Sequence, residues 1–342
     1  MSSSSAMAGE GTLRVLTLNV FAGTREMDFD RLDRQMKAVR ELQPDVVCLQ
    51  EVYDHRVRTR YHAAFSDFGI YGDDHDTDPS FLLVAAELAA STAGEKAIAH
   101  GYRTDEVLLL NNQRGQSFPD SKIVHTFPNE APDSKDAGGT LMSWGVSALE
   151  SLKPKGYVSV RYQVDGVDVT VASMRLTNGV HNPKRAIQVK ELIGRLFHTE
   201  DTENPRSFNF APIILCGDTN ADGEEPEMRW MREKAGFHDT YLEGNPDREH
   251  APHAGMTWSA DNDLTHNGNL TEPDQRVDYV LFAPGDEYTF ETIGSRIVFD
   301  EAPLVSDHFG VLTELRLIRN PECTLNGIVL GTDACKKKFF EP

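Results

Sequence analysis

LRVLTLNVF (residues 13–21) and DVVCLQEVY (residues 45–53) are short apolar runs, rich in Val and Leu, and each passes into polar residues at its end. Continuous apolar runs of this length are what a β-strand needs when both of its faces are buried. Between them, Phe29, Leu32, Met36, Val39 and Leu42 recur at helical spacing, and Pro44 cannot continue a helix. Strand, helix and strand in close succession predict a βαβ-like start.

The pattern continues downstream. LMSWGVSAL, GYVSVRYQV and VDVTVASMRL read as successive strands, with Asp165-Gly166 as a hairpin turn between the last two. An amphipathic helix is predicted over 184–197, carrying Ile187, Leu192, Ile193 and Leu196. APIILCGDTN is another buried strand running into polar residues, and 227–234 is helix-like. VDYVLF (277–282), SRIVF (295–299) and FGVLTELRL (309–317) complete the strands. Residues 54–137 are less regular, with an acidic loop at 71–80, a helix candidate at 81–90, and polar loops around 111–121 and 128–137. With no internal repeat and no compositional boundary, the reading is one domain of class α/β (or α+β), a two-layer sheet core covered by helices. Its expected limits are 12–319, between a disordered leader at 1–11 and a tail at 320–342.

Composition narrows the partners. The chain has 34 basic and 54 acidic side chains, a net charge of −20. Holding duplex nucleic acid by phosphate neutralisation needs a broad basic face, so extensive duplex binding is not expected. The N-terminal residues MSSSSAMAGEGT have neither the basic nor the apolar region of a secretory signal. No run approaches the ~18 apolar residues of a membrane-spanning helix, so a cytoplasmic location without a transmembrane segment is the expectation. Cys48 and Cys216 lie inside apolar runs and read as buried thiols; Cys323 and Cys335 can pair only in an oxidising compartment.

The polar residues at the ends of the apolar runs are Asn19, Glu51, Asp218 with Asn220, Asp278, and Asp307 with His308, all placed at the C-terminal ends of strands. A rigid sheet fixes such groups while the loops leave room for a ligand. Oxygen donors with no nearby Cys point to Mg²⁺, Mn²⁺ or Ca²⁺ rather than Zn²⁺. Blander readings stand beside these. Asn19 can be a turn former, Asp218 with Asn220 an Asx turn, and Asp307-His308 a surface pair. The acidic cluster from Asp73 to Asp78 lacks the Gly and terminal Glu of a calcium loop and reads as solvated. Trp144, Trp230 and Trp258 read as core or cleft-wall residues, and His181, His238, His250, His253 and His266 receive no role.

LTLNVF, LQEVYD, LCGDTNAD, PDQRVDYVLF and VSDHFGV occur in that order between residues 16 and 311. Together they resemble the endonuclease/exonuclease/phosphatase superfamily. The resemblance implies a four-layer α/β sandwich of two packed mixed β-sheets flanked by helices, and Mg²⁺-dependent hydrolysis of phosphate esters. It further implies Glu51 as principal metal ligand, helped by Asn19, with Asp307 a further metal-side carboxylate. Asp218 orients or deprotonates the attacking water, Asn220 holds the phosphate, and His308, its tautomer set by Asp278, stabilises or protonates the charged phosphorus centre. The sequence departs from the pattern once: VASMRLTN puts Arg175 where many relatives carry a phosphate-contacting His. Arg can clamp a phosphate or form a structural salt bridge. Two stretches, 217–243 and 255–282, resemble neutral sphingomyelinases, implying a phospholipid headgroup substrate and peripheral membrane contact. A nuclease of the same superfamily and a non-catalytic phosphate- or metal-binding protein are the alternatives.

Overall fold

The computed structural model describes residues 12–22, 28–72, 107–127, 155–179, 182–198, 211–247, 255–266, 274–320, 324–325 and 328–329. The leader, the helix candidate at 81–90, the strand candidate at 141–149, Trp144, Cys323, Cys335, and most of the acidic loop lie outside them.

The βαβ start is present. Strand β1 (Thr12–Asn19) pairs in parallel with β2 (Val46–Gln50), and helix α1 (Phe29–Glu41) crosses between them. Asp28 caps α1, its side chain accepting from the Arg31 amide at 2.9 Å, which satisfies one of the free donors of the first turn. Both strands are apolar along most of their length because each face is buried against a different layer. Leu13, Val15, Val46 and Cys48 point into a core shared with the second sheet. Leu16, Leu18, Val47 and Leu49 point the other way, against Leu32, Met36 and Val39 of α1 and against Val57 and Tyr61 of α2 (His55–Ala64). The side-chain period of two along a strand makes this division automatic.

A second parallel crossover mirrors the first. Strands β7 (Val167–Arg175) and β8 (Ile213–Asp218) are parallel neighbours joined through α3 (Pro183–Leu196). On β8, Ile214 and Cys216 face the inter-sheet core. Ile213 and Leu215 face Val189, Leu192 and Ile193 of α3 and Met228 and Met231 of α4 (Pro226–Glu233). The hairpin from β6 (Gly156–Val164) into β7 turns at Asp165 (φ 49°) and Gly166 (φ 82°), the two positive φ values of a type I′ turn.

The remaining strands are β3 (Phe68–Gly72), β4 (Val107–Asn111), β5 (Gln116–Thr126), β9 (His238–Asp239), β10 (Asp278–Ala283), β11 (Tyr288–Val298), β12 (Gly310–Arg319), β13 (Thr324–Leu325) and β14 (Ile328–Val329). One sheet runs β11-β12-β1-β2-β4-β3 and the other β5-β6-β7-β8-β10-β9, with β13 and β14 a separate ribbon. Two mixed six-stranded sheets packed face to face, with α1 and α2 outside one and α3 and α4 outside the other, make the four-layer sandwich.

Two local readings change. Residues 116–121 begin β5 rather than forming a loop. This edge strand tolerates Pro119 because its register with β6 shifts between Phe118 and Ile123. SRIVF is only the end of the longer β11, whose mixed first half is held by pairing with β12 and by Tyr288 and Phe290 on the inter-sheet core. Among the described residues no helix is long and apolar enough to cross a membrane.

Burial raises the phenols of Tyr61, Tyr157, Tyr162 and Tyr279 above their usual range, that of Tyr157 to about 12. An unfolded chain ionises Tyr near ~10, so the stability held by these neutral phenols is complete below that pH and is lost as pH rises through the folded-state values. In an alkaline titration, tyrosinate absorbance from these four of the nine tyrosines should appear only with loss of far-ultraviolet dichroism. All nine ionising while the dichroism is still native would show that these phenols are not buried.

Candidate active site

The polar residues converge because of strand direction. In the second sheet Arg175, Asp218 and Asp278 are consecutive cross-strand neighbours: Arg175 opposes Asp218 in the parallel β7–β8 pair, and Asp218 opposes Asp278 in the antiparallel β8–β10 pair. In the first sheet Asn19 opposes Gln50, one residue before Glu51. Asn19, Arg175 and Asp218 end their strands, but Asp278 begins β10 and Asp307-His308 precede β12. The expectation that all sit at C-terminal strand ends is therefore corrected. Because β10 and β12 run antiparallel to β8 and β1, their starts share an edge with the ends of those strands.

Asp218 is fully buried and stands at the junction of the sheets. Its Oδ2 accepts from Asn19 Nδ2 at 3.2 Å and from Arg175 Nε at 3.4 Å. Its Oδ1 accepts the backbone N–H of Asn220 at 2.9 Å, so the Asx turn is formed as well. Asn220 Nδ2 in turn donates to the Leu176 carbonyl at 3.0 Å. The Arg175 guanidinium also donates to the Glu51 carboxylate through Nη2 and to the Tyr53 hydroxyl through Nη1. Arg175 is therefore ion-paired at the centre of the cluster. Glu51 and Asn220 hold left-handed backbones, with φ of 62° and 49°; Asn adopts this region readily, whereas for Glu51 it is strained and surrounding contacts must enforce it.

On the far side His308 Nδ1 lies 2.8 Å from Asp278 Oδ2, and the imidazole packs against the Trp258 ring with centroids 4.9 Å apart. Burial alone would lower the His308 pKa. The charge of Asp278 and its hydrogen bond, with Asp307 and Asp218 adding, outweigh this and raise it to about 10. The ring is thus imidazolium near neutrality. Asp278 is anchored by Thr257, whose Oγ1 accepts the Val277 and Asp278 backbone N–H groups at 3.1 and 3.0 Å.

Several supporting residues escaped the sequence reading. Arg31 and Gln35 of α1 each donate to the carbonyls of both Val20 and Val305, tying the exit of β1 to the segment that carries Asp307. Ser306 Oγ donates to the Asn19 carbonyl at 2.5 Å. Gln50 Nε2 bridges the sheets beneath the site, donating to Ser173 Oγ at 3.1 Å and Thr17 Oγ1 at 3.3 Å. Arg185 of α3 pairs with Glu225 and Glu227 and bonds the Gly179 carbonyl, joining the loops that follow β7 and β8. Gln50, Tyr53 and Ser306 lie inside quoted motifs; Arg31, Gln35 and Arg185 show in the sequence only as polar residues within helical stripes, and their partners appear only once the chain is folded.

Glu51, Asp307 and Asn19 present the hard oxygen donors that a divalent cation of the Mg²⁺ class prefers. Burial raises the Asp307 carboxyl to about 7; His308 and Arg31 pull it back, and the neighbouring charge of Glu51 pushes it further up. Close carboxylates that oppose each other's ionisation are what a bound cation relieves, so the donors fit such an ion. Among the described residues, however, no three His, Cys, Asp or Glu side chains form a ready metal cluster. Glu51 is occupied by Arg175.

The chain belongs to the Endonuclease/Exonuclease/phosphatase family, whose model matches residues 16–308. Members of that family are hydrolases of phosphodiester bonds and typically use divalent metal ions. No curated protein sequence matches the chain. Among solved structures it is similar to D. rerio TDP2 complexed with single strand DNA product: TM-score 0.59, 13% identity, 90% of this chain and 99% of that one covered. It is also similar to the human Nocturnin catalytic domain with bound sulfate anion: TM-score 0.56, 14% identity, 90% and 95% covered. A third is the endonuclease/exonuclease/phosphatase from Beutenbergia cavernae: TM-score 0.53, 21% identity, 90% and 72% covered. Identities this low speak for the fold. The phospholipid partner expected above is corrected by the comparison with TDP2, a relative in fold whose bound product is a DNA strand. Bulk charge is a weak guide here, because a single phosphate can be met by a few buried cationic groups without a basic surface.

Gly217, just before Asp218, has φ +142°, and a Cβ there would lie 1.9 Å from the Met174 carbonyl oxygen on the adjoining strand. Gly217→Ala should therefore push β8 from β7 and cost about 3 kcal/mol or more in urea-denaturation stability, as main-chain clashes in a core do. A loss below about 0.5 kcal/mol, the range of neutral surface changes, would show that the strands can part freely.

Proposed function

We propose that the chain is a divalent-metal-dependent phosphodiesterase acting on a nucleic-acid phosphodiester, with a single strand as the form that reaches the site. The observation carrying this reading is the buried row Arg175–Asp218–Asp278 with His308, an anion-handling cluster at the sheet edge of a family of phosphodiester hydrolases. The similarity in fold to a TDP2 with bound single-stranded DNA product supports the substrate class.

Each residue then has a task. Asp218 orients the attacking water and accepts its proton, with Asn19 and the Asn220 amide holding the carboxylate in place. His308 keeps Nδ1 on Asp278, which leaves its Nε2–H to donate to a phosphate oxygen as negative charge builds there. Asn220 is placed beside Asp218 to contact the phosphate. Glu51, Asp307 and Asn19 would hold the cation, Mg²⁺ or, with the same donors, Mn²⁺ or Ca²⁺, whose chemistry when bound is to neutralise the phosphate oxygens. Trp258, packed on His308 and partly exposed, forms a wall of the cleft and keeps water from the imidazolium. The second reading, a phosphate- or metal-binding protein without turnover, is favoured by the guanidinium standing on Glu51.

The two readings separate in one assay. Purified protein with Mg²⁺ should cleave single-stranded oligonucleotides, or the generic diester bis(p-nitrophenyl) phosphate. Asp218→Asn and His308→Gln should each lose about 10²–10⁴-fold in rate, as removal of a proton-transfer or charge-stabilising group does. Binding of the oligonucleotide by a folded wild type with no cleavage under any divalent ion would establish the second reading instead.

A further inference from the structure

We propose that Arg175 is a built-in rival of the divalent cation: its guanidinium holds the Glu51 carboxylate in the metal-free protein and is displaced from it when a metal binds. The inference rests on the functional reading only in taking Glu51 as a metal ligand.

Three observations carry it. The first is position. Arg175 is the last residue of β7, its backbone locked in register with Asp218 on one side and Gly156 on the other, so the guanidinium moves only by side-chain rotation. The second is valence. Nε meets Asp218, Nη1 meets the Tyr53 hydroxyl and Nη2 meets Glu51, so each nitrogen of the group has a partner, and the residue is only 3% exposed. A cation desolvated to this degree cannot leave one carboxylate for water; it needs another anion. The third is charge. Glu51, Asp218, Asp278 and Asp307 gather from both sheets at one end of the sandwich, with Arg175 between Glu51 and Asp218 and His308 beside Asp278 and Asp307. A divalent ion approaching Glu51 meets the repulsion of a guanidinium in a medium that screens poorly. The metal affinity of the apo protein is thereby held down.

The same geometry says where the group goes. Rotation about the side-chain torsions turns the whole planar guanidinium off Glu51 while it remains in the pocket beside Asp218, and its fork matches the oxygens of a phosphodiester. Metal and substrate phosphate are then held more tightly together than separately, because each supplies what the other's binding removes: a cation for Glu51 and an anion for Arg175.

Calorimetric titration of the full chain with Mn²⁺ tests the rivalry without reading turnover. Arg175→Gln should bind Mn²⁺ at least tenfold more tightly than wild type, and adding Glu51→Gln should abolish the gain. Equal or weaker binding by folded Arg175→Gln overturns the proposal, as does a gain that survives Glu51→Gln. Should Arg175→Gln fail to fold, wild type serves directly: the Arg175 Nε–H resonance should shift and saturate in step with added Mg²⁺. A resonance that stays fixed while Mg²⁺ binds overturns it too. Cleavage enters neither measurement, so an active enzyme without the rivalry removes only this inference. Rivalry without cleavage removes only the hydrolase assignment.

Discussion

A row of opposed charges buried across three neighbouring strands is the constraint on which this molecule is arranged. Arg175, Asp218 and Asp278 are set side by side by strand register, and all three are buried. Charges in that position are tolerated only when each is matched: Asp218 by Arg175 and Asn19, Asp278 by His308, and Arg175 by Glu51 and Tyr53. Those partners come from both sheets, so satisfying the row requires the sheets to pack in one relative placement. Gln50, reaching across to Ser173, repeats the requirement one layer below.

The helices serve that placement. Helix α1 fills the outer face of its sheet with Leu32, Met36 and Val39, and uses Arg31 and Gln35, on the same buried stripe, to join the loops that carry Asn19 and Asp307. Helix α3 does the same for the other sheet, with Leu192 and Ile193 packed beneath and Arg185 gathering Glu225 and Glu227. One helical face thus supplies both apolar packing and the polar clamp at the end of the sandwich where phosphate chemistry is assigned. Polar residues inside an apolar stripe are a signal that can be read from sequence, although their partners cannot.

Net charge proved the least informative feature. The balance of −20 argued against extensive duplex binding, and the lipid headgroup came from two sphingomyelinase-like stretches, yet the fold is shared with a protein solved on a single DNA strand. Average charge governs long-range attraction to a surface. A site that handles one phosphodiester needs only a few desolvated groups of the right sign. Here a guanidinium and an imidazolium sit within an acidic cluster, and their effect is strong because the surroundings are poor in water.

By itself the sequence determined most of the elements and the polar residues at their ends. Apolar runs too long for a single buried face implied strands sandwiched between layers, helical spacing placed α1 and α3, and Asp165-Gly166 specified its hairpin, because these are properties of neighbouring residues. The ordered motifs likewise announced the family, because each motif is a local run of residues. The tertiary structure decided which atoms meet. Asp278 and His308 join the ends of β1 and β8 only because their strands run in the opposite direction. The polar edge strand β5 exists only by pairing with β6. Whether Arg175 meets substrate or Glu51 depends on contacts 124 residues apart in the chain, and register and burial, not local pattern, set those.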